Sequence, residues 1–163
     1  MDLRLATTTD AEAIRAIYNI EVETAVVNFD LRSRSLEEQQ RWLRDRSGAH
    51  VVIVTEETGF ITGFAALSPY RDKPAYTTSV ENSVYVHRDH QGKGVGSMLL
   101  GELTRRSDMH GFHSMFARIV GNHPSSIALH RNAGFELVGV EREVGRKFGR
   151  WYDVTLMQRL SAQ

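Results

Sequence analysis

The chain has 163 residues, balances twenty basic against twenty acidic side chains, and is 41% hydrophobic and 25% charged. That length buries roughly two-thirds of the unfolded surface in one domain, and the zero formal charge gives no electrostatic reason to expect a nucleic-acid or membrane partner. With no cysteine, a disulfide scaffold, a thiolate zinc site and a cysteine nucleophile are excluded; the polar stretch Thr7-Thr8-Thr9-Asp10 and the lack of any ~18-residue apolar run lead us to expect a cytoplasmic protein.

No linker, repeat or low-complexity stretch interrupts the chain, so a single domain over 1–163 is expected. Leu3 to Ala6 reads as a short strand. Thr9-Asp10-Ala11-Glu12 has the spacing of a capping box, and Ile14, Ile17, Tyr18 and Val22 continue at helical spacing. Ser35-Leu36-Glu37-Glu38 opens a second helix through Trp42 and Leu43. His50–Thr55 and Phe60–Leu67, joined across Glu56–Gly59, form a hairpin. Thr77–Val86 is a long strand whose alternation puts Ser79, Glu81, Ser83 and Tyr85 on one face and Val80, Asn82, Val84 and Val86 on the other. A glycine-rich turn leads into a helix through Met98, Leu99 and Leu103 that ends near Gly111. Ser114–Val120 is a strand. Pro124 and Gly134 suit the first turn and the C-terminal cap of a further helix. Phe135–Glu141 and Trp151–Gln158 close the chain as a strand pair around a polar loop. The order β-α-α-β-β-β-α-β-α-β-β is a mixed α/β pattern, not the regular alternation of a doubly wound sheet.

Gln91-Gly92-Lys93-Gly94-Val95-Gly96-Ser97 carries the strongest chemical signal. Glycines let the backbone turn tightly and approach a ligand. The N–H groups at a helix start then make an anion site suited to a pyrophosphate. A Walker loop needs different spacing, and a dinucleotide fingerprint needs G-x-G-x-x-G where this turn has G-x-G-x-G. A loop glycine-rich only for tight turning is the structural alternative.

Gln91, Gly94 and Gly96 fit Q/R-x-x-G-x-G/A, and in this the chain resembles the GNAT (Gcn5-related) N-acetyltransferases. Ser83-Val84-Tyr85-Val86 resembles the strand before that loop. The segment Ser126 to Phe135 resembles the family's late helix and its Gly-Phe step. Val27-Asn28-Phe29, Ser79-Val80-Glu81 and the stretch from Gly145 to Asp153 are similar to the phosphinothricin and methionine sulfoximine acetyltransferases.

The resemblance covers nearly the whole chain. It implies a single-domain fold with a mostly antiparallel sheet splayed around acetyl-CoA and flanked by helices, and no metal. Val84, Tyr85 and Val86 are expected to bond the pantetheine arm through their backbone, and Gly92, Lys93, Gly94, Val95, Gly96 and Ser97 to wrap the pyrophosphate. Asn122 or His123 takes the family's asparagine contact. Phe29, Pro74, Ala75 and Tyr76 line the acceptor pocket. The region around Arg142, Arg146, Lys147 and Arg150 reads on its own as a solvated loop; the resemblance makes it part of a homodimer interface that borders the site.

Amine acetylation needs a base for the ammonium, a donor for the thioester oxygen and an acid for the departing thiolate. Glu81 is the candidate base, because a mid-strand carboxylate among β-formers lacks an obvious structural purpose. A solvated strand face is the alternative. The N–H of Val86 is the candidate donor. His130 stands where many relatives have a tyrosine acid, and Tyr85 is the other candidate. Arg71 is either a clamp for a substrate carboxylate or a surface charge. His87 with His90, and His110 with His113, read as loop histidines, not metal ligands. The functions in play are acetylation of a small amino-acid-like amine, acetylation of a protein or peptide, a non-catalytic acetyl-CoA-binding regulator, and a dinucleotide-binding module.

Overall fold

A computed structural model describes residues 1–46 and 48–162. Its elements are β1 (Asp2–Leu5), α1 (Ala11–Thr24), α2 (Leu36–Arg44), β2 (Val52–Glu57), β3 (Phe60–Pro69), β4 (Ser79–Val86), α3 (Val95–Met109), β5 (Ser114–Val120), α4 (Pro124–Asn132), β6 (Glu136–Lys147) and β7 (Arg150–Leu160). This is the order read from the sequence, with short 3-10 turns added at Thr8–Asp10, Pro74–Tyr76 and Arg88–His90.

The seven strands form one sheet in the order β1-β2-β3-β4-β5-β7-β6. Two apolar layers cover it. Val52, Val54, Phe64 and Ala66 meet Ile14, Ile17, Tyr18 and Val22 of α1 and Leu43 of α2. Ile53, Ala65, Leu67, Val80, Met115 and Ala117 meet Leu99, Leu100 and Leu103 of α3. The period-2 alternation of a strand sends neighbours such as Ile53 and Val54 into opposite cores.

The Ser35 capping box forms as expected, with Glu38 N–H donating to Ser35 Oγ at 3.1 Å and Ser35 N–H to Glu38 Oε2 at 2.8 Å. The first one moves. Asp10, not Glu12, turns back to accept the Thr7 N–H at 2.7 Å, because Arg4 of β1 holds both oxygens of its carboxylate at 2.8 Å. Glu12 instead pairs with Arg15.

The polar loop expected between the last two strands is corrected too. β6 and β7 run on to Lys147 and Arg150 and turn over Phe148 and Gly149, both at positive φ, the geometry of a tight two-residue hairpin. Cross-strand pairs such as Arg146 with Trp151 make strand of a basic run that by composition resembles a loop.

Candidate active site

β4 and β5 are joined through α3 and pair in parallel, unlike the antiparallel pairs elsewhere in the sheet. Their register covers only Ser79–Ser114, Val80–Met115 and Glu81–Phe116. Beyond Glu81 the strands diverge, and the fork opens into a cleft of about 1240 Å³.

Register decides what lines that fork. His87 donates its N–H to the Thr62 carbonyl, so Tyr85 and Ser83 exchange backbone bonds with Phe64 and Ala66 of β3. Val84 and Val86, past the last pair with β5, therefore direct their N–H and C=O groups into the fork. Of the three residues expected to meet the pantetheine arm through their backbone, Val84 and Val86 have theirs turned into the fork, while the backbone of Tyr85 is bonded to β3. Tyr85 meets the cleft through its ring, which packs on Phe64 and Tyr18. Burial pushes its hydroxyl up to about 12.

At the wide end, Gly92, Gly94, Gly96 and Ser97 line the cleft. Gly94 caps α3 at φ +84°, a left-handed geometry that an L side chain resists. The first N–H groups of α3 lack intrahelical partners and face this space. Lys93 is exposed and off the cleft wall, while Val95 sends its side chain into the core, 1% exposed. His123 lines the cleft at the start of α4; Asn122 is exposed beside it and does not.

Glu81 lies at the closed end of the fork. Burial raises its carboxyl pKa; Arg118 opposes that rise and Glu141 adds to it. On the opposite face, His130 is 5% exposed. Its Nδ1 lies 2.8 Å from the Ser126 carbonyl and its Nε2 3.0 Å from Asn82 Oδ1. Asn82 in turn donates through Nδ2 to the Phe116 carbonyl at 3.0 Å, which fixes its amide. Both ring nitrogens thus face acceptors, and only a protonated imidazole satisfies both. Burial works against that charge and lowers the pKa of His130, while the bond to Ser126 raises it.

Asn28 and Phe29 also line the cleft. Asn28 Nδ2 donates to the Tyr85 hydroxyl at 3.4 Å, and Lys147 Nζ donates to the Asn28 carbonyl and Oδ1 at 3.2 and 3.3 Å. Lys147 is only 2% exposed, so the reading of its segment as solvated fails there. Burial lowers its pKa, and Asp30 and Glu21 counter that. Arg71, Pro74 and Ala75 are exposed and Tyr76 half-buried on the loop before β4, and none of them lines the cleft. The Arg71 guanidinium rests against the Tyr70 ring, 5.0 Å from its centroid.

Sequence reasoning gave no site role to Asn82, Asn28 or the pair Arg118–Glu141, and placed Lys147 only in a region that borders the site. Arg118 carried a signal: a charge inside Met115-Phe116-Ala117-Arg118-Ile119-Val120 is as anomalous as Glu81 in its own strand. His87 and His90 pack around Phe60. Among the described residues no group of three or more His, Cys, Asp or Glu is placed to hold a metal ion, and no helix is long and apolar enough to cross a membrane.

A forked mixed sheet with a helix N-terminus at the mouth and a half-buried carboxylate at the closed end is an acyl-transferase architecture. The profile described as "Acetyltransferase (GNAT) domain" matches residues 3–156, and the chain belongs to that family. Among characterised relatives, the L-amino acid N-acyltransferase MnaT of Escherichia coli K12 is 38% identical over 97% of this chain and 92% of its own. The L-methionine sulfoximine/L-methionine sulfone acetyltransferase of Pseudomonas aeruginosa is 37% identical over 96% and 92%. Among solved structures, one described as a ribosomal-protein-alanine N-acetyltransferase from Brucella melitensis superposes with TM-score 0.97 at 37% identity, covering 99% of this chain and 100% of that one. A putative acetyltransferase of Salmonella typhimurium with its cofactor acetyl-CoA gives 0.95 at 36% identity over 99% and 94%.

Proposed function

We propose that this protein moves an acetyl group from acetyl-CoA to the amino group of a small amino-acid-like substrate of the methionine sulfoximine, methionine sulfone or phosphinothricin type. The observation that carries this reading is Glu81 at the closed end of an open strand fork, with its pKa raised by burial. A carboxyl group tuned toward neutrality takes a proton from an ammonium more readily than an ordinary one. The match to amino-acid N-acyltransferases along nearly the whole chain supports the substrate class.

In this scheme the N–H groups of Gly94 to Ser97 hold the pyrophosphate, and Val84 and Val86 bond the pantetheine amides as an added strand would. Glu81 accepts a proton from the substrate ammonium, directly or through one water. The freed amine attacks the thioester carbon, and the Val86 N–H donates to the carbonyl oxygen as it gains charge. As the carbon–sulfur bond breaks, the attacking nitrogen gives up its second proton to the thiolate by way of His130, which Asn82 and Ser126 hold at the cleft wall, so that one ammonium proton ends on Glu81 and the other on the thiol. No step needs a metal or a covalent enzyme intermediate. We place the protein in the cytoplasm, where acetyl-CoA is available and a cysteine-free chain is at home. We assign a homodimer interface to the closing hairpin, which exposes Leu137, Val138, Val140, Phe148 and Trp151.

Thiol release from acetyl-CoA across amino acids, their sulfoximine, sulfone and phosphinothricin analogues, and alanine-terminated peptides tests this. Release with the small substrates, reduced about 100-fold or more in Glu81→Gln, is expected. Release only with peptides supports the protein-acetylating alternative suggested by the Brucella structure's description. Acetyl-CoA binding with no turnover of any amine supports a regulator.

A further inference from the structure

We infer that Arg118 holds the α-carboxylate of the acceptor amino acid, with Glu141 keeping the empty guanidinium in place; this rests on the function proposed above.

The placement follows from register. Glu81 pairs with Phe116 across the parallel junction, so Phe116 and Arg118 share the sheet face of Glu81. Arg118 lies two residues further along β5, where the fork has opened, and it lines the cleft. Its charge is felt at Glu81. An α-amino acid carries its ammonium and carboxylate on one carbon. A site that deprotonates the first at Glu81 therefore needs a cation for the second close by, on the same face. Arg118 meets that requirement. Arg71, the residue the sequence suggested, lies outside the cleft wall.

The guanidinium is held ready without being used up. Its Nη1 and Nη2 donate to Glu141 Oε1 and Oε2, the second contact at 3.3 Å. Glu141 comes from β6 and is not part of the cleft wall. The side chains of Arg118 and Glu141 are 32% and 39% exposed. A guanidinium has five N–H donors, so Nε and the remaining Nη hydrogens stay available to a carboxylate. A planar, always-charged fork of donors discriminates such a group from a neutral carboxamide.

The test compares Arg118→Met, Glu141→Gln and Arg71→Ala, each at saturating acetyl-CoA, on the best amino-acid substrate and on its α-carboxamide. Arg118→Met is expected to raise KM for the acid about tenfold or more while changing KM for the carboxamide less than about threefold. Glu141→Gln leaves the guanidinium unanchored and is expected to raise KM for the acid, by less than Arg118→Met does, with little change for the carboxamide. A merely structural ion pair predicts instead that both variants lose activity together on both substrates, and that result overturns the inference. So does Arg71→Ala abolishing the preference for acid over carboxamide while Arg118→Met preserves it. If Arg118→Met does not fold, the split between acid and carboxamide in Glu141→Gln decides the matter: a loss confined to the acid supports the inference and an equal loss on both overturns it. Wild-type enzyme inactive on every amino acid refutes the proposed function itself, an outcome distinct from active wild type with unchanged KM in Arg118→Met.

Discussion

The glycine-rich turn and the closing hairpin border the same cleft and shape it by opposite means. The turn works through backbone: Gly94 in left-handed geometry and the unpartnered N–H groups of α3, with Lys93 facing solvent and Val95 buried in the core. The hairpin works through side chains that reach far along the chain. Glu141 fixes Arg118, Lys147 fixes Asn28, and Gly145 lies close against the Phe29 ring. In the proposed function the backbone cradle serves the acyl-CoA and the side-chain contacts behind the cleft serve acceptor choice, and each can be broken separately.

Gly145→Val is expected to have the larger effect. A Cβ at Gly145 would run into the Phe29 ring, so Phe29 must leave its place, and overpacking of this kind costs about 1–3 kcal/mol. The expected outcome is a fall of about tenfold or more in kcat/KM for the amine, with acetyl-CoA affinity unchanged by calorimetry. Gly94→Ala is the converse. A methyl group at Gly94 would have no neighbour within 4 Å, so space is not the issue, but φ +84° is. Left-handed backbone costs an L residue about 1–2 kcal/mol. The turn relaxes, acetyl-CoA has to restore it, and its Kd rises up to about tenfold while the amine KM at saturating acetyl-CoA stays put. Loss of both affinities in either variant would erase the division.

The same contrast explains what was legible. The turn is contiguous, so its glycines and its place between strand and helix could be read directly, as could the order of strands and helices. Glu81 stood out because a carboxylate interrupts β-formers. Arg118 offered the same clue, but its meaning depends on the parallel register with β4 and on Glu141 two strands away in the sheet. Lys147 looked like one more solvated base because its acceptors are on Asn28, 119 residues earlier. The displaced capping box has the same origin: Asp10 is chosen over Glu12 by Arg4, which belongs to a strand rather than to the helix. Local patterns name the elements, while pairing across the sheet decides which polar side chains are buried.

The smallest expected effect lies where the two regions meet, in the pH dependence of Glu81. Its pKa is raised by burial, lowered in part by Arg118 and raised in part by Glu141. In its proposed role as base it works only when ionised, so kcat/KM is expected to fall as pH drops through a value above the ordinary 4.5. Arg118→Met removes the opposing cation and is expected to move that acid limb up. Glu141→Gln removes a like charge and is expected to move it down. The stability consequence has the opposite sense to activity. A carboxyl group whose folded pKa exceeds its unfolded one stabilises the fold most when protonated, and that contribution is lost as pH rises from the unfolded through the folded value. Glu81→Gln is therefore expected to unfold at a higher temperature than wild type at neutral pH while turning over far more slowly, and the gap between their unfolding temperatures should close in acid. A variant that loses both activity and thermal stability at neutral pH would mean that Glu81 serves the fold and not the reaction.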